Sequence, residues 1–414
     1  MSQKNSGIPA GQNQSAEGAL KVHKLTFWEA TMIIVGANIG SGILGLAYAS
    51  RLAGWPILMM WLLIAGFFTT CSMLYVAETT LRTHVPMQLP GLAEKYVGKL
   101  GSWLIFISVA ANSIGCLIAY TNGSGRILSE MLGVPNQIGS LLFTIPAVLV
   151  VWFGLKATGI AEKVISWGMI VLVGVIIIAS FLSGKAQVNN VIYTNWTYAV
   201  PVFNVAIFCY IAQYAVPELA RGLRHEPKKL APAVVLGMVM TMVLLALVPL
   251  AVLALTGPEE VTEVATLAWG RALGQWAFFV ANLFALCAMM TSYWAVGGSF
   301  LTNIVDKFKF KSETDFKTRI LCVVVVAVPP FALAYSGLVS FVDAIYLAGT
   351  FGGVIMSILP AMMLNKARKT GDREPEWQNT WTANKAIQIA MIVLFGGAAI
   401  YAILNLMGIL PSGW

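Results

Sequence analysis

Long apolar stretches recur along the whole chain, at about 26–52, 55–80, 101–128, 137–155, 158–183, 199–221, 231–256, 272–304, 320–336, 340–364 and 386–409. A membrane-spanning helix needs about 20 consecutive apolar residues. In hydrocarbon only helices and closed barrels satisfy every backbone polar group, and these runs are too long and continuous for barrel strands. The sequence therefore predicts an all-α integral membrane protein of eleven spans. Composition agrees: 58% of the 414 residues are hydrophobic and 11% charged, where a soluble domain carries about a quarter charged residues.

The net charge of +8 does not indicate a nucleic-acid partner, because no basic face sits beside a soluble core. It indicates orientation. With the N-terminus inside, twenty-two of the 26 Lys and Arg residues fall in inner segments, leaving Arg51, Arg126, Lys185 and Arg271 outside. Under the positive-inside rule this predicts a cytoplasmic N-terminus and an extracytoplasmic C-terminus. Residues 1–24, rich in Gly, Gln, Ser and Asn, read as a disordered cytoplasmic tail. The five cysteines lie in apolar stretches without CxxC pairing and read as reduced, buried side chains.

Two spans read as interrupted. Span 1 contains Gly36-Ala37-Asn38-Ile39-Gly40-Ser41-Gly42-Ile43-Leu44-Gly45, and each glycine destabilises a helix by up to about 1 kcal/mol relative to alanine. Close packing of small residues such as Gly36 and Gly40 is the alternative account. Span 6 contains Tyr210-Ile211-Ala212-Gln213-Tyr214-Ala215-Val216-Pro217, polar at depth and lacking one donor at Pro217. Interrupted helices five spans apart are the sequence signature of a transporter built from inverted repeats.

The span 1 stretch GANIGSGIL, the AVPELARGLRHEPKKL stretch closing span 6, and the C-terminal ILPSGW after an eleventh span resemble the hydroxy and aromatic amino acid permeases. That family includes bacterial tryptophan and tyrosine permeases and belongs to the amino acid–polyamine–organocation superfamily. The resemblance implies a LeuT-type five-plus-five inverted repeat, with residues 25–183 and 199–364 as the repeats and span 11 (386–409) outside them. It implies alternating access, in which spans 1, 2, 6 and 7 rock against the remainder. It also implies a bacterial or archaeal inner membrane.

A zwitterionic substrate suits the breaks. Free amides of Ser41, Gly42 and Ile43, at the positive end of the outer half of span 1, suit a carboxylate. Carbonyls near Tyr210 and Ile211, with that of Gly36 or Ala37, suit an ammonium. Asn38 serves either there or as an interhelical hydrogen bond. Tyr120 matches a tyrosine common in this fold that approaches the substrate; a tyrosine satisfied within the protein is the alternative. Cys209, Gln213 and Tyr293 are placed at the side-chain pocket by position. Where the aromatic permeases carry Gly and His in span 6, this chain carries Ile211 and Gln213. The expected substrate is accordingly a neutral amino acid, aromatic or medium-sized aliphatic.

The resemblance also implies a sodium site, with carbonyls of Gly36, Ile39 and Ala288 and the hydroxyls of Thr291 and Ser292, since neutral oxygens can replace water around a hard cation. Thr291 and Ser292 bonding back to their own helix is the ordinary alternative. Proton-coupled relatives place a lysine at mid-depth on span 5, where this chain reads Ser166-Trp167-Gly168-Met169. Lys163 lies about a turn nearer the cytoplasm. His23, His84 and His225 fall in cytoplasmic segments. Sodium is therefore favoured over protons, with Glu78 the acid to consider if protons drive transport; Glu29, Glu218 and Asp343 lie near span ends and read as caps or loop ion pairs. No cofactor is indicated. The residues carry no catalytic constellation and therefore no enzyme; the competing class is an amino-acid-binding membrane sensor without transport.

Overall fold

A computed structural model describes residues 24–153, 159–310 and 315–410, with the side chains of span 5 from Trp167 onward. The tail expected over 1–24, apart from Lys24, lies outside the described residues, as do Lys156, the side chains of Lys163 and Ser166, and the last four residues of ILPSGW.

Among the described residues the chain is helical without strands, and every expected apolar segment carries helix. Span 1 is the pair Phe27–Asn38 and Ser41–Ser50, and span 6 the pair Ala199–Phe208 and Val216–Gly222. The others are Trp55–Leu81, Lys99–Leu132, Asn136–Phe153, Gly159–Leu182, Leu230–Glu260, Gln275–Lys307, Phe316–Ser336, Phe341–Thr370 and Lys385–Leu406. Among the described residues nine helices are long and apolar enough to cross a membrane, and the bent pair of span 1 makes ten. Span 5 enters that comparison only through Trp167–Leu182. Outward faces carry exposed Leu63, Ile107, Ile145, Val171, Val243 and Ile392, an apolar surface of the kind that meets lipid.

Packing follows a pattern. Spans 1, 2, 6 and 7 pack on one another, as do spans 3, 4, 8 and 9. Span 5 lies against spans 7, 8 and 1, and span 10 against spans 2, 3 and 6, displaced by five, and additionally against the second half of span 1. Span 11 packs outside, on spans 6 and 10. Two short helices that the sequence reading did not assign, Leu89–Val97 and Ala265–Leu273, sit in the 2–3 and 7–8 connections, again five spans apart.

Two details depart from expectation. Cys287 is exposed, whereas Cys71, Cys116, Cys209 and Cys322 are buried. It lies one turn beyond exposed Leu283, on the face span 8 turns outward. Span 10 contains a π-helical segment, Ala348–Gly353. There a Cβ on Gly352 would stand 2.6 Å from the Asn112 Cβ, and one on Gly349 would stand 2.3 Å from the Asn204 carbonyl oxygen. Span 10 is thus pressed against both span 3 and the first half of span 6.

Candidate functional site at the breaks of spans 1 and 6

The first half of span 1 ends at Asn38 and the second half starts at Ser41, with a bend of 45° between them. No side chain caps the second half. Its first amides, those of Ser41, Gly42 and Ile43, therefore have no intrahelical acceptor and form a positive helix end. Span 6 breaks in the opposite sense. Its first half ends at Phe208, tightens through the Tyr210 and Ile211 amides bonding to Ile207 and Phe208 carbonyls, and then leaves helical geometry at Ala212. A carbonyl-rich, negative helix end results.

These two ends meet. A Cβ on Gly42 would lie 2.7 Å from Cys209 Sγ and 3.3 Å from its Cα, so only glycine allows this approach. Gly40, at the bend, lies under span 3: a Cβ there would be 2.7 Å from Tyr120 Oη and 3.2 Å from Ser292 Oγ. Between the breaks is a cavity of about 10 Å³, near the space one water needs. Span 1 contributes Ala37, Asn38, Gly40, Ser41 and Gly42; span 3 contributes Asn112, Cys116 and Tyr120; span 6 contributes Phe208, Ile211 and Tyr214.

Several buried polar atoms here have no hydrogen-bond partner among the described residues. Asn38 donates through Nδ2 to Met238 Sδ at 3.4 Å, but its Oδ1 is orphaned, as is Ser41 Oγ. Buried polar groups are normally satisfied, and those that are not call for a ligand, water or functional account. Asn38, Ser41, Gly42, Tyr120 and Ile211 thus surround one cavity. The other candidates do not line it. Cys209 closes on Gly42 from behind, Ile43 packs in the core, and the Tyr210 ring approaches Gly66 of span 2. Gln213 donates to Ser357 Oγ at 3.4 Å and keeps an orphaned Oε1. Tyr293 stacks edge-on with Phe143, centroids 5.8 Å apart.

Span 8 lies beside span 1, with the Thr291 and Ser292 hydroxyls engaged differently. Thr291 Oγ1 donates within its own helix, 3.1 Å from the carbonyls of both Cys287 and Ala288, while Ser292 faces Gly40 and Tyr120. Ala288 and Ile39 are buried, and Gly36 is half-buried in the first half of span 1.

Asn112, Cys116, Phe208 and Tyr214 were not singled out from the sequence. The first two lie at four-residue intervals before Tyr120, on one face of span 3, and that spacing was the available signal.

Glu78 is fully buried and heavily used. It accepts from Arg82 Nε at 2.9 Å, from Arg368 Nε at 2.9 Å and Nη2 at 2.8 Å, and from the Asn379 amide at 2.8 Å. These contacts tie span 2 to span 10 and to the segment before span 11. The same segment is fastened by Tyr75 donating to the Thr382 carbonyl and by the Lys95–Asp372 ion pair. Lys95 and the His84 amide beside Asp372 hold its carboxyl below the usual carboxylate range. Glu29 closes a capping box with Thr26, and Asp343 accepts from Ser340.

Comparison with known proteins completes the picture. The sequence profile of the tryptophan/tyrosine permease family matches residues 23–403. A protein named tyrosine-specific transport system 1, from Haemophilus influenzae, is 23% identical over 379 residues, covering 88% of this chain and 93% of that relative. A tryptophan-specific transport protein from Pseudomonas aeruginosa is 25% identical over 399 residues, covering 89% and 92%. Among solved structures, the manganese transporter of Eremococcus coleocola, crystallised with an aromatic bis-isothiourea compound, superposes with a TM-score of 0.61 at 12% identity, covering 95% of this chain and 92% of that one. That likeness is one of fold.

Proposed function

The chain belongs to the tryptophan/tyrosine permease family, and we propose that it imports a neutral amino acid, aromatic or medium-sized aliphatic, by cation-coupled symport. The observation that carries this reading is the apposition of Gly42 and Cys209. It brings a positive helix end and a negative helix end to one cavity, complementary to the carboxylate and ammonium of an amino acid. Asn38, Ser41 and Tyr120 add neutral hydrogen-bonding groups, so the site holds a zwitterion without a fixed charge at mid-depth.

The transport cycle is alternating access between two five-span repeats. The packing displaced by five spans supports it, with spans 1, 2, 6 and 7 as the moving bundle. A cavity of about 10 Å³ is far below the 300 Å³ or more typical of small-molecule sites. Loading therefore requires the bundle to separate from spans 3 and 8, parting Gly40 from Tyr120.

Sodium is the favoured coupling ion, held by carbonyls of Gly36, Ile39 and Ala288 with Thr291 and Ser292. For Thr291 this means turning its hydroxyl from its own helix toward span 1. The engagement of Glu78 by two arginines supports sodium over protons, since that carboxylate serves an ion-pair network. We assign the N-terminus to the cytoplasm and the C-terminus to the outside of a bacterial-type inner membrane, from the placement of Lys and Arg.

Competition against uptake tests recognition of both substrate ends. An amino acid competes, whereas its carboxamide and its decarboxylated amine do not. Equal competition by either analogue would overturn zwitterion recognition at the breaks.

A further inference from the structure

Just before span 1, the Leu25 amide donates to the Gly222 carbonyl at 3.0 Å. The Leu25 side chain also fills the space a Cβ on Gly222 would need, which would lie 2.4 Å from Leu25 Cδ1. The entry to span 1 and the inner end of span 6 are thereby held as one unit. Beside this joint runs a groove of about 900 Å³. Lys24, Phe27 and Trp28 form one wall, and His225, Glu226 and Lys229 of the turn between spans 6 and 7 form the other. Lys24, His225 and Lys229 are exposed, and exposed Arg224 and Lys228 flank them.

Two acids lie near. Glu226 sits 2.6 Å from Lys229 Nζ and 3.7 Å from His225 Nε2, and Glu29 is committed to the Thr26 amide at 2.8 Å. The groove therefore presents Lys24 and Lys229 against one partly neutralised glutamate, with Arg224 and Lys228 exposed beside it in the chain. Trp28, 49% exposed in the first turn of span 1, adds an amphipathic ring at the end of a spanning helix, where such rings meet lipid headgroups.

We propose that this groove binds the headgroup phosphate of an anionic phospholipid. Lys24 and Lys229 contact the phosphate, and Trp28 lies along the glycerol and upper acyl region. Free phosphate offers the same anionic oxygens, but only a lipid also uses Trp28. The bound headgroup bridges the entries to spans 1 and 7, members of one packed bundle, and holds them together at the inner leaflet. The leaflet assignment rests on the orientation given above; trypsin cleavage at Lys24 in sealed vesicles of known sidedness reports that orientation separately.

The test uses the full chain in nanodiscs of phosphatidylcholine with or without phosphatidylglycerol, with retained phosphatidylglycerol counted by native mass spectrometry. No substrate or ion gradient is needed, so the result is independent of transport. The chain is expected to retain phosphatidylglycerol. The double variant Lys24→Gln/Lys229→Gln is expected to bind it about 25-fold more weakly, at roughly five-fold per lysine near an anionic surface. Lys366→Gln/Lys369→Gln, which removes the same charge elsewhere on the inner side, is expected to retain it as wild type does. Unchanged retention in the first variant, equal loss in the second, or displacement of the lipid by inorganic phosphate would each overturn the proposal.

Discussion

The Tyr120 hydroxyl on span 3 stands directly over Gly40 in the break of span 1, so close that a Cβ at Gly40 would lie 2.7 Å away. Under the rocking account this is the contact that opens and closes. Gly40→Ala is therefore expected to lower uptake at least ten-fold while leaving the amount of folded protein in the membrane near wild type. Gly298→Ala, where a Cβ meets nothing within 4 Å, is the matched control and is expected to transport normally. Radiotracer uptake normalised to fluorescence size exclusion checks both; wild-type uptake in Gly40→Ala would count against the contact.

Tyr120→Phe keeps the ring and removes the hydroxyl. If that hydroxyl approaches the substrate, binding weakens about five- to ten-fold, the equivalent of about 1–1.5 kcal/mol for one hydrogen bond. Scintillation proximity binding measures this without transport. Unaltered affinity would leave Tyr120 with the internal role instead.

Glu78→Ala leaves Arg82, whose side chain is 5% exposed, and Arg368 without their shared carboxylate. Breaking a buried ion pair by removing one partner is destabilising by about 3–5 kcal/mol. A clear fall in the melting temperature of detergent-solubilised protein is expected, whichever ion drives transport. A variant of native stability that loses only proton-driven uptake would instead make Glu78 the proton site.

The Lys95–Asp372 pair gives a pH dependence with a definite sign. Its carboxyl is held below the free-Asp value of about 3.9. The stabilisation is therefore complete above that value and is lost as pH falls through the folded-state value. Hydrogen exchange of residues 371–379, corrected for intrinsic rates, is expected to accelerate in that acidic window. In Asp372→Asn the same segment is expected to exchange faster already at neutral pH, without the acid-dependent step.

The spans were legible because a bilayer demands about twenty apolar residues per crossing, a local property of sequence. The breaks were legible for a related reason: Gly40 and Gly42 mark where a backbone leaves helical geometry or meets another closely. What the sequence could not reveal depends on distant neighbours. The π-helical segment at 348–353 is recognised only when Gly349 and Gly352 are seen against Asn204 and Asn112. Glu78 reads as an acid near a span end until Arg368 and Asn379, some 300 residues away, are seen to satisfy it. The cavity wall at Asn112 and Cys116 follows a helical spacing that, on span 3 alone, does not distinguish a site from ordinary packing.

The most direct measurement is uptake of a mixed panel of radiolabelled amino acids into proteoliposomes, with a sodium or a proton gradient imposed separately. Accumulation of a neutral amino acid driven by sodium and lost in Thr291→Ala is expected. Accumulation driven by protons alone would contradict the sodium site, and binding without accumulation under either gradient would contradict transport itself.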